Sequence, residues 1–121
     1  MDRKVIEDLR REFPDKKVVL LPEDDPQEVI VEVWKDFEES CAVVIIDRSE
    51  PHLHHVSWER YGVEAGILTV HVDGETHVVR PGERFYIRPG QVHWAEGDAV
   101  RMVVHTWPPW KEEDHILVDG K

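Results

Sequence analysis

Three turn dipeptides, Asp73-Gly74, Pro81-Gly82 and Pro89-Gly90, follow one another at intervals of eight residues. Proline removes a backbone donor and glycine admits the left-handed backbone of tight turns, so each pair interrupts a regular element. No helix of ordinary length fits between them, and the chain here must be built from short strands. Asp73-Gly74 lies between the β-rich runs 66–72 and 75–79 and is the strongest hairpin signal in the chain. A two-residue turn pairs Val72 with Glu75, Val70 with His77 and Leu68 with Val79. Leu68, Val70 and Val72 then form the apolar face, with His77 pointing inward and His71 outward.

The same short-strand rhythm covers most of the chain. Val18 to Leu21 reads as a strand, and Val29, Val31 and Val33 alternate with Ile30, Glu32 and Trp34 in another. Ala42 to Ile46 is almost continuously apolar and reads as central. Arg84 to Ile87, His93 to Ala95, Val100 to Thr106 and Ile116 to Val118 are further candidates. This pattern predicts an all-β sandwich or barrel. The exception is the start. Val5, Ile6, Leu9 and Phe13 share a helical face, Asp2 can cap it and Pro14 stops it. The chain divides into an amphipathic helix over 1–14 and a barrel with a C-terminal extension over 15–121. At 121 residues it has the size of one domain.

Charge narrows the partners. With 26 acidic and 15 basic residues the formal charge is −11, which opposes binding to nucleic acid or an anionic membrane surface. The single cysteine, Cys41, forms no intrachain disulfide and reads as buried strand. No apolar run reaches transmembrane length, and the first residues lack a secretory apolar region, so a cytoplasmic location is expected.

All eight histidines lie beyond residue 51. His52 and His54 are two apart, and an extended backbone points both imidazoles to one face. Glu59 needs a bend or bulge to join them. His93, after the Pro89-Gly90 turn, must arrive from another strand. Three imidazoles and a carboxylate suit a divalent Fe, Mn, Ni, Co, Cu or Zn ion and leave open positions on an octahedral one. Spacing alone leaves surface histidines as the alternative, and His55 can replace either neighbour if the register shifts.

Here the chain resembles a known superfamily. His52, His54, Glu59 and Gly66 match the first motif of small single-domain cupins of the RmlC-like type: His-x-His, four residues, Glu, six residues, Gly. Gly82, Pro89, Gly90 and His93 resemble the second motif. Ile46 and Gly97 stand where those motifs usually carry glycine and asparagine. The tail with Trp110, Glu113, Asp114, His115 and Ile116 is similar to that of a group of short bacterial and archaeal cupins. The resemblance implies a double-stranded β-helix, or jelly-roll barrel, around one divalent transition metal per chain. It maps His52, His54, Glu59 and His93 onto the ligand set. It also implies a metalloenzyme acting on a small polar molecule, such as a sugar or carboxylic acid, by oxygenase, isomerase or lyase chemistry. The alternative is a cupin that binds a small molecule or metal without turnover. Tyr61, His77, Tyr86 and His105 are the candidate acids and bases.

A homodimer is the expected assembly, because strand edges need covering and two-fold pairing is the commonest closed form. Trp34 or an N-terminal valine is expected to lose exposure in it. The other tryptophans are expected mostly in packing, with one or two capping the barrel mouth or forming a subunit contact.

Overall fold

A computed structural model describes residues 1–118. The last three residues of the expected 15–121 unit lie outside the described residues. Helix α1 spans Arg3–Glu12, with the Asp2 carboxylate accepting from the Lys4 N–H at 2.9 Å. Arg10 and Arg11 complement the helix dipole in its last turn. The Phe13 N–H closes the helix on the Leu9 carbonyl, one residue before Pro14. Ile6 and Leu9 are buried against Val29, Val31, Val43 and Ile45. Each such side chain contributes about 2 kcal/mol of burial, which fixes a helix too short to persist alone.

Among the described residues ten strands follow: β1 Val18–Leu21, β2 Glu28–Lys35, β3 Ser40–Arg48, β4 His52–Leu53, β5 Trp58–Ala65, β6 Leu68–Val72, β7 Glu75–Val79, β8 Arg84–Ile87, β9 His93–Trp107 and β10 Ile116–Leu117. All pairings are antiparallel. The order runs β1-β2-β3-β9-β4-β10, with β5 and β6 also paired to β9, so the sheet curls around this long strand. Inward residues of β3, β5, β6, β8 and β9 form the barrel core, among them Ile46, Val63, Leu68, Ile87 and Val100. The fold is the jelly-roll barrel with one short N-terminal helix. Both faces of β3 are covered, Val44 and Ile46 by the barrel and Val43 and Ile45 by α1, which explains its continuous apolar run. The hairpin has the expected register, with φ of 50° at Asp73 and 83° at Gly74, as a two-residue turn requires.

Two expectations are corrected. His93 to Ala95 and Val100 to Thr106 are one strand, β9, that passes through Gly97 without ending. Its first residues pair with β6 and its later ones with β5, while the register against β3 shifts between Ile46 and Arg48. A Cβ at position 97 would lie 2.4 Å from Val100 Cγ2 and 2.9 Å from the Ile67 carbonyl oxygen, which accounts for glycine there. Gly97→Ala is expected to destabilise the chain by about 2 kcal/mol through overpacking, measured by denaturant unfolding.

The tryptophans pack outside the core: Trp58 stacks on Trp107 with ring centroids 6.3 Å apart, Trp94 stacks on His71, and Trp34 is exposed. The second correction is strand β5, which the sequence pattern does not predict. Its buried positions, Glu59, Tyr61 and Val63, alternate with Trp58, Arg60 and Gly62, and a carboxylate in the buried set hides the period.

Candidate metal centre

The barrel brings His52 from β4, His54 from the bend after it, Glu59 from β5 and His93 from the start of β9 to one point. Their donor atoms all lie within 4.8 Å of one another, and all four residues are buried. His52 and His93 are cross-strand partners. Glu59 arrives from a separate strand, beyond the bend at residues 55–56, as one of the two expected routes. Its Oε1 lies 3.2 Å from both His54 Nε2 and His93 Nε2.

The outer nitrogen of each ring decides what the inner one can do. His52 Nδ1 donates to the Glu50 carbonyl at 2.7 Å, His54 Nδ1 to that of Asp114 at 2.9 Å, and His93 Nδ1 to that of Gln91 at 2.9 Å. A carbonyl only accepts, so a hydrogen sits on each Nδ1, and Nε2 faces inward, carrying a lone pair whenever the ring is neutral. Those of His54 and His93 are buried without a hydrogen-bond partner. Their approach to a carboxylate oxygen sets lone pair against lone pair, which is unfavourable unless a proton or cation lies between them. The donor set, its spacing and its bare nitrogens fit a divalent transition metal.

Ionisation follows the same geometry. Burial pushes His52 down to about 3, reinforced by His93 and His115, so its ring is neutral. Burial also works against charge on His54 and Glu59, yet each holds the other charged. The His54 imidazole is raised, and the Glu59 carboxyl is held below the usual carboxylate range.

The C-terminal segment completes the centre, which the sequence reading did not assign. After the 3-10 turn Glu112–Asp114, β10 pairs with β4, placing Leu117 opposite His52. The Asp114 carboxylate accepts from the His55 N–H at 2.9 Å and from those of Val56 and Ser57 at 3.2 Å. The His115 ring stacks on that of His52 with centroids 4.4 Å apart. Only the family-like tail hinted at this, and it carried no spacing signal toward the histidines.

The cluster opens on a cavity of about 580 Å³, walled by Ile30, Val44, Met102 and Val104 and bordered by Trp110 and His115. Trp110 thus reaches the barrel mouth as expected of one tryptophan. Glu28, which no local motif marks, also lines this cavity. Burial, then the charges of Glu59 and Glu50, push its carboxyl up to about 8.

Of the candidate acids and bases, only Tyr61 reaches the cluster. It is buried and donates to Glu59 Oε1 at 3.4 Å. Burial pushes its phenol well above the usual value, so it remains a donor. His77 takes the inward register position opposite Val70 but lies on β7 outside the cavity, its ring 4.9 Å from that of Phe85. Tyr86 and His105 border a separate, outer cleft with Arg60 and Trp107. Both follow from strand alternation, since Ile87 and Val104 take the inward positions. His55 is exposed and is not part of the cluster. Among the described residues, no helix is long and apolar enough to cross a membrane.

The family described as "Cupin domain" matches residues 44–107, more than half of the chain. No curated protein matches it. Among solved structures, Streptomyces PAC13 with uridine is 15% identical with a TM-score of 0.77, over 87% of this chain and 85% of that one. The same protein is described elsewhere as a nucleoside dehydratase. KdgF from Halomonas sp. is 18% identical with a TM-score of 0.68, over 82% of this chain and 91% of that one. An RmlC-like cupin from Shewanella frigidimarina is also 18% identical at 0.68, over 84% and 90%. At these identities the structural likeness speaks for the fold alone, and it agrees with the sequence match. A jelly-roll barrel closed around three histidines and a glutamate, in a chain matched over its central strands, places this protein in the cupin domain family.

Proposed function

We propose that this protein is a metal-dependent cupin enzyme that acts on a small hydroxylated or carboxylated molecule by lyase or isomerase chemistry. The observation that carries the reading is the pair of buried, bare Nε2 atoms beside Glu59, opening onto a cavity large enough for a sugar-sized ligand. The family's range leaves the reaction open; the nucleoside dehydratase with the same barrel supports water loss from a hydroxylated substrate.

His52, His54, Glu59 and His93 would hold the ion, which, when bound, supplies a Lewis acid for a substrate oxygen. Tyr61 fixes the Glu59 carboxylate by its hydrogen bond and offers a donor beside the cluster. Ile30, Val44, Met102 and Val104 exclude water from the cavity wall. The homodimer belongs to the same proposal, with exposed Trp34 as the side chain it would cover.

Protein purified without a histidine tag should contain one transition-metal ion per chain by elemental analysis. Metal-loaded protein should then convert a member of a panel of sugars, sugar acids and nucleosides, followed by proton NMR for new alkene or isomer signals. A metal-loaded protein that binds panel members and converts none would establish the non-catalytic binding reading instead. Protein that takes up no transition metal would remove the basis of both.

A further inference from the structure

Helix α1 covers only part of the sheet's outer face, over Val29, Val31, Val43 and Ile45. Beyond them, cross-strand pairing sets five side chains in one row: Trp34 on β2, Cys41 on β3, His105 on β9, Arg60 on β5 and Tyr86 on β8. Trp58 and Trp107 pair in the next row. The Trp34 ring meets that of His105 edge-on across Cys41, with centroids 6.3 Å apart, and the Tyr86 ring meets that of Trp107 at the same distance. Trp34 is 45% exposed, Trp58 39% and Tyr86 52%, and Phe37 in the β2–β3 loop is 91% exposed. The open face of an antiparallel sheet ordinarily carries polar side chains. A protein that works as a single chain rarely leaves a patch of such rings bare.

A cleft of about 490 Å³ crosses the row, lined by Glu38, Glu39, Arg60, Tyr86, His105 and Trp107. Its charges are divided by flank. The β2–β3 loop brings Asp36, Glu38 and Glu39, while β5 and β8 bring Arg60 and Arg84. Within the chain, Glu39 accepts from His105 Nδ1 at 3.2 Å, and Asp36 accepts from the N–H groups of Glu38 and Glu39. Lys35 pairs with Glu32 and lines the inner cavity instead. Glu64 and Glu83, further along the second flank, accept from Arg101 and from the Arg80 N–H. The arginine ion pairs of the described residues use Arg3, Arg11 and Arg101, which leaves Arg60 and Arg84 without an acid and Glu38 without a base.

We propose that this face is the contact between two copies of the chain, related by a two-fold axis that lies in the interface, parallel to β9, at His105. This rests on the homodimer reading and names its surface and its axis. Such an axis exchanges the flanks. Trp34 meets Tyr86 of the partner subunit, and Glu38 meets Arg60 of the partner subunit, each contact occurring twice. The charge pattern selects this occupant. A partner of one sign would satisfy one flank and oppose the other, whereas a second copy turned about the axis brings base to acid on both. Elsewhere a formal charge of −11 on each chain keeps copies apart. Tryptophan, tyrosine and arginine are also the side chains that carry most of the energy of protein contacts.

The test is sedimentation velocity over a micromolar concentration series, with circular dichroism and zinc uptake as controls for folding. Wild type should sediment at twice the chain mass. Arg60→Glu and Glu38→Arg should each weaken the dimer by at least about tenfold, and the double variant should return to within about threefold of wild type. Trp34→Ala should weaken it by about tenfold. A dimer unmoved by the single variants, or a double variant no tighter than either, overturns this interface and leaves the homodimer standing. A wild type that is monomeric throughout the series overturns both. A monomer whose tryptophan fluorescence shifts with maltohexaose overturns both as well and gives the face to a carbohydrate.

Discussion

His93→Ala is expected to lower metal affinity by at least about a hundredfold while leaving the β-sheet circular dichroism intact. Loss of an outer-shell partner alone weakens a metal by about 10–100-fold, and His93 would be a direct ligand. It is fully buried at the start of β9, and its Nε2 faces Glu59 with no other partner. The strand itself is held by its pairing with β3, β4, β5 and β6, none of which depends on this imidazole. Equilibrium competition with a chromophoric chelator measures the affinity. Wild-type affinity in the variant would remove His93 from the ligand set.

The wild-type equilibrium carries a second signature. Binding requires Glu59 ionised and the histidine Nε2 atoms free of protons. His52 is already neutral, with its ring pushed down to about 3. His54 is raised by Glu59, so its proton must leave when the metal enters. Metal affinity is therefore full above the raised His54 value and falls as pH drops through it. Metal in hundredfold excess over its Kd adds about 2.7 kcal/mol to unfolding stability, a gain that His93→Ala should forfeit.

Asp114→Ala should have the next largest effect, from outside the ligand set. Its carboxylate gathers the N–H groups of His55, Val56 and Ser57, and its own carbonyl orients His54. Charge-assisted hydrogen bonds of this kind are stronger than neutral ones, and losing the cluster should destabilise the chain by about 2 kcal/mol. Release of the bend from 55 to 57 also loosens His54, and metal affinity should fall by about 10–100-fold. Asp114→Asn, which keeps one oxygen acceptor, should fall between wild type and Asp114→Ala. Burial works to raise the Asp114 carboxyl, but these N–H groups outweigh it and hold it below its ordinary value. The clamp is therefore intact above the ordinary carboxylate range and is lost as pH falls through the lowered one. Unfolding curves and chelator competition separate the two effects. Unchanged metal affinity in Asp114→Ala would show that the tail does not support the site.

Local chemistry made much of this legible in advance. The Asp73-Gly74 turn fixed the hairpin register, because a two-residue turn leaves no slack and a one-residue slip would expose the apolar face. The continuous run in β3 revealed a strand covered on both sides, since neither face could carry charge. The His-x-His spacing and its likeness to the cupin motif pointed to the four residues that the barrel brings together.

Tertiary structure decided the rest. Whether a residue at an inward register position reaches the cavity depends on how the sheet curls, and so His77 on β7 misses it while Glu28, distant in sequence, borders it. Periodicity could not show that β9 continues through Gly97, because glycine there answers to Val100 and Ile67 rather than to a turn. Nor could it tie Asp114 and His115 to His54 and His52, about sixty residues earlier. Alternation and turn chemistry act between near neighbours and determined the strands and the donor set. The tail's clasp and the acid on the cavity wall arise only when barrel closure brings remote residues together.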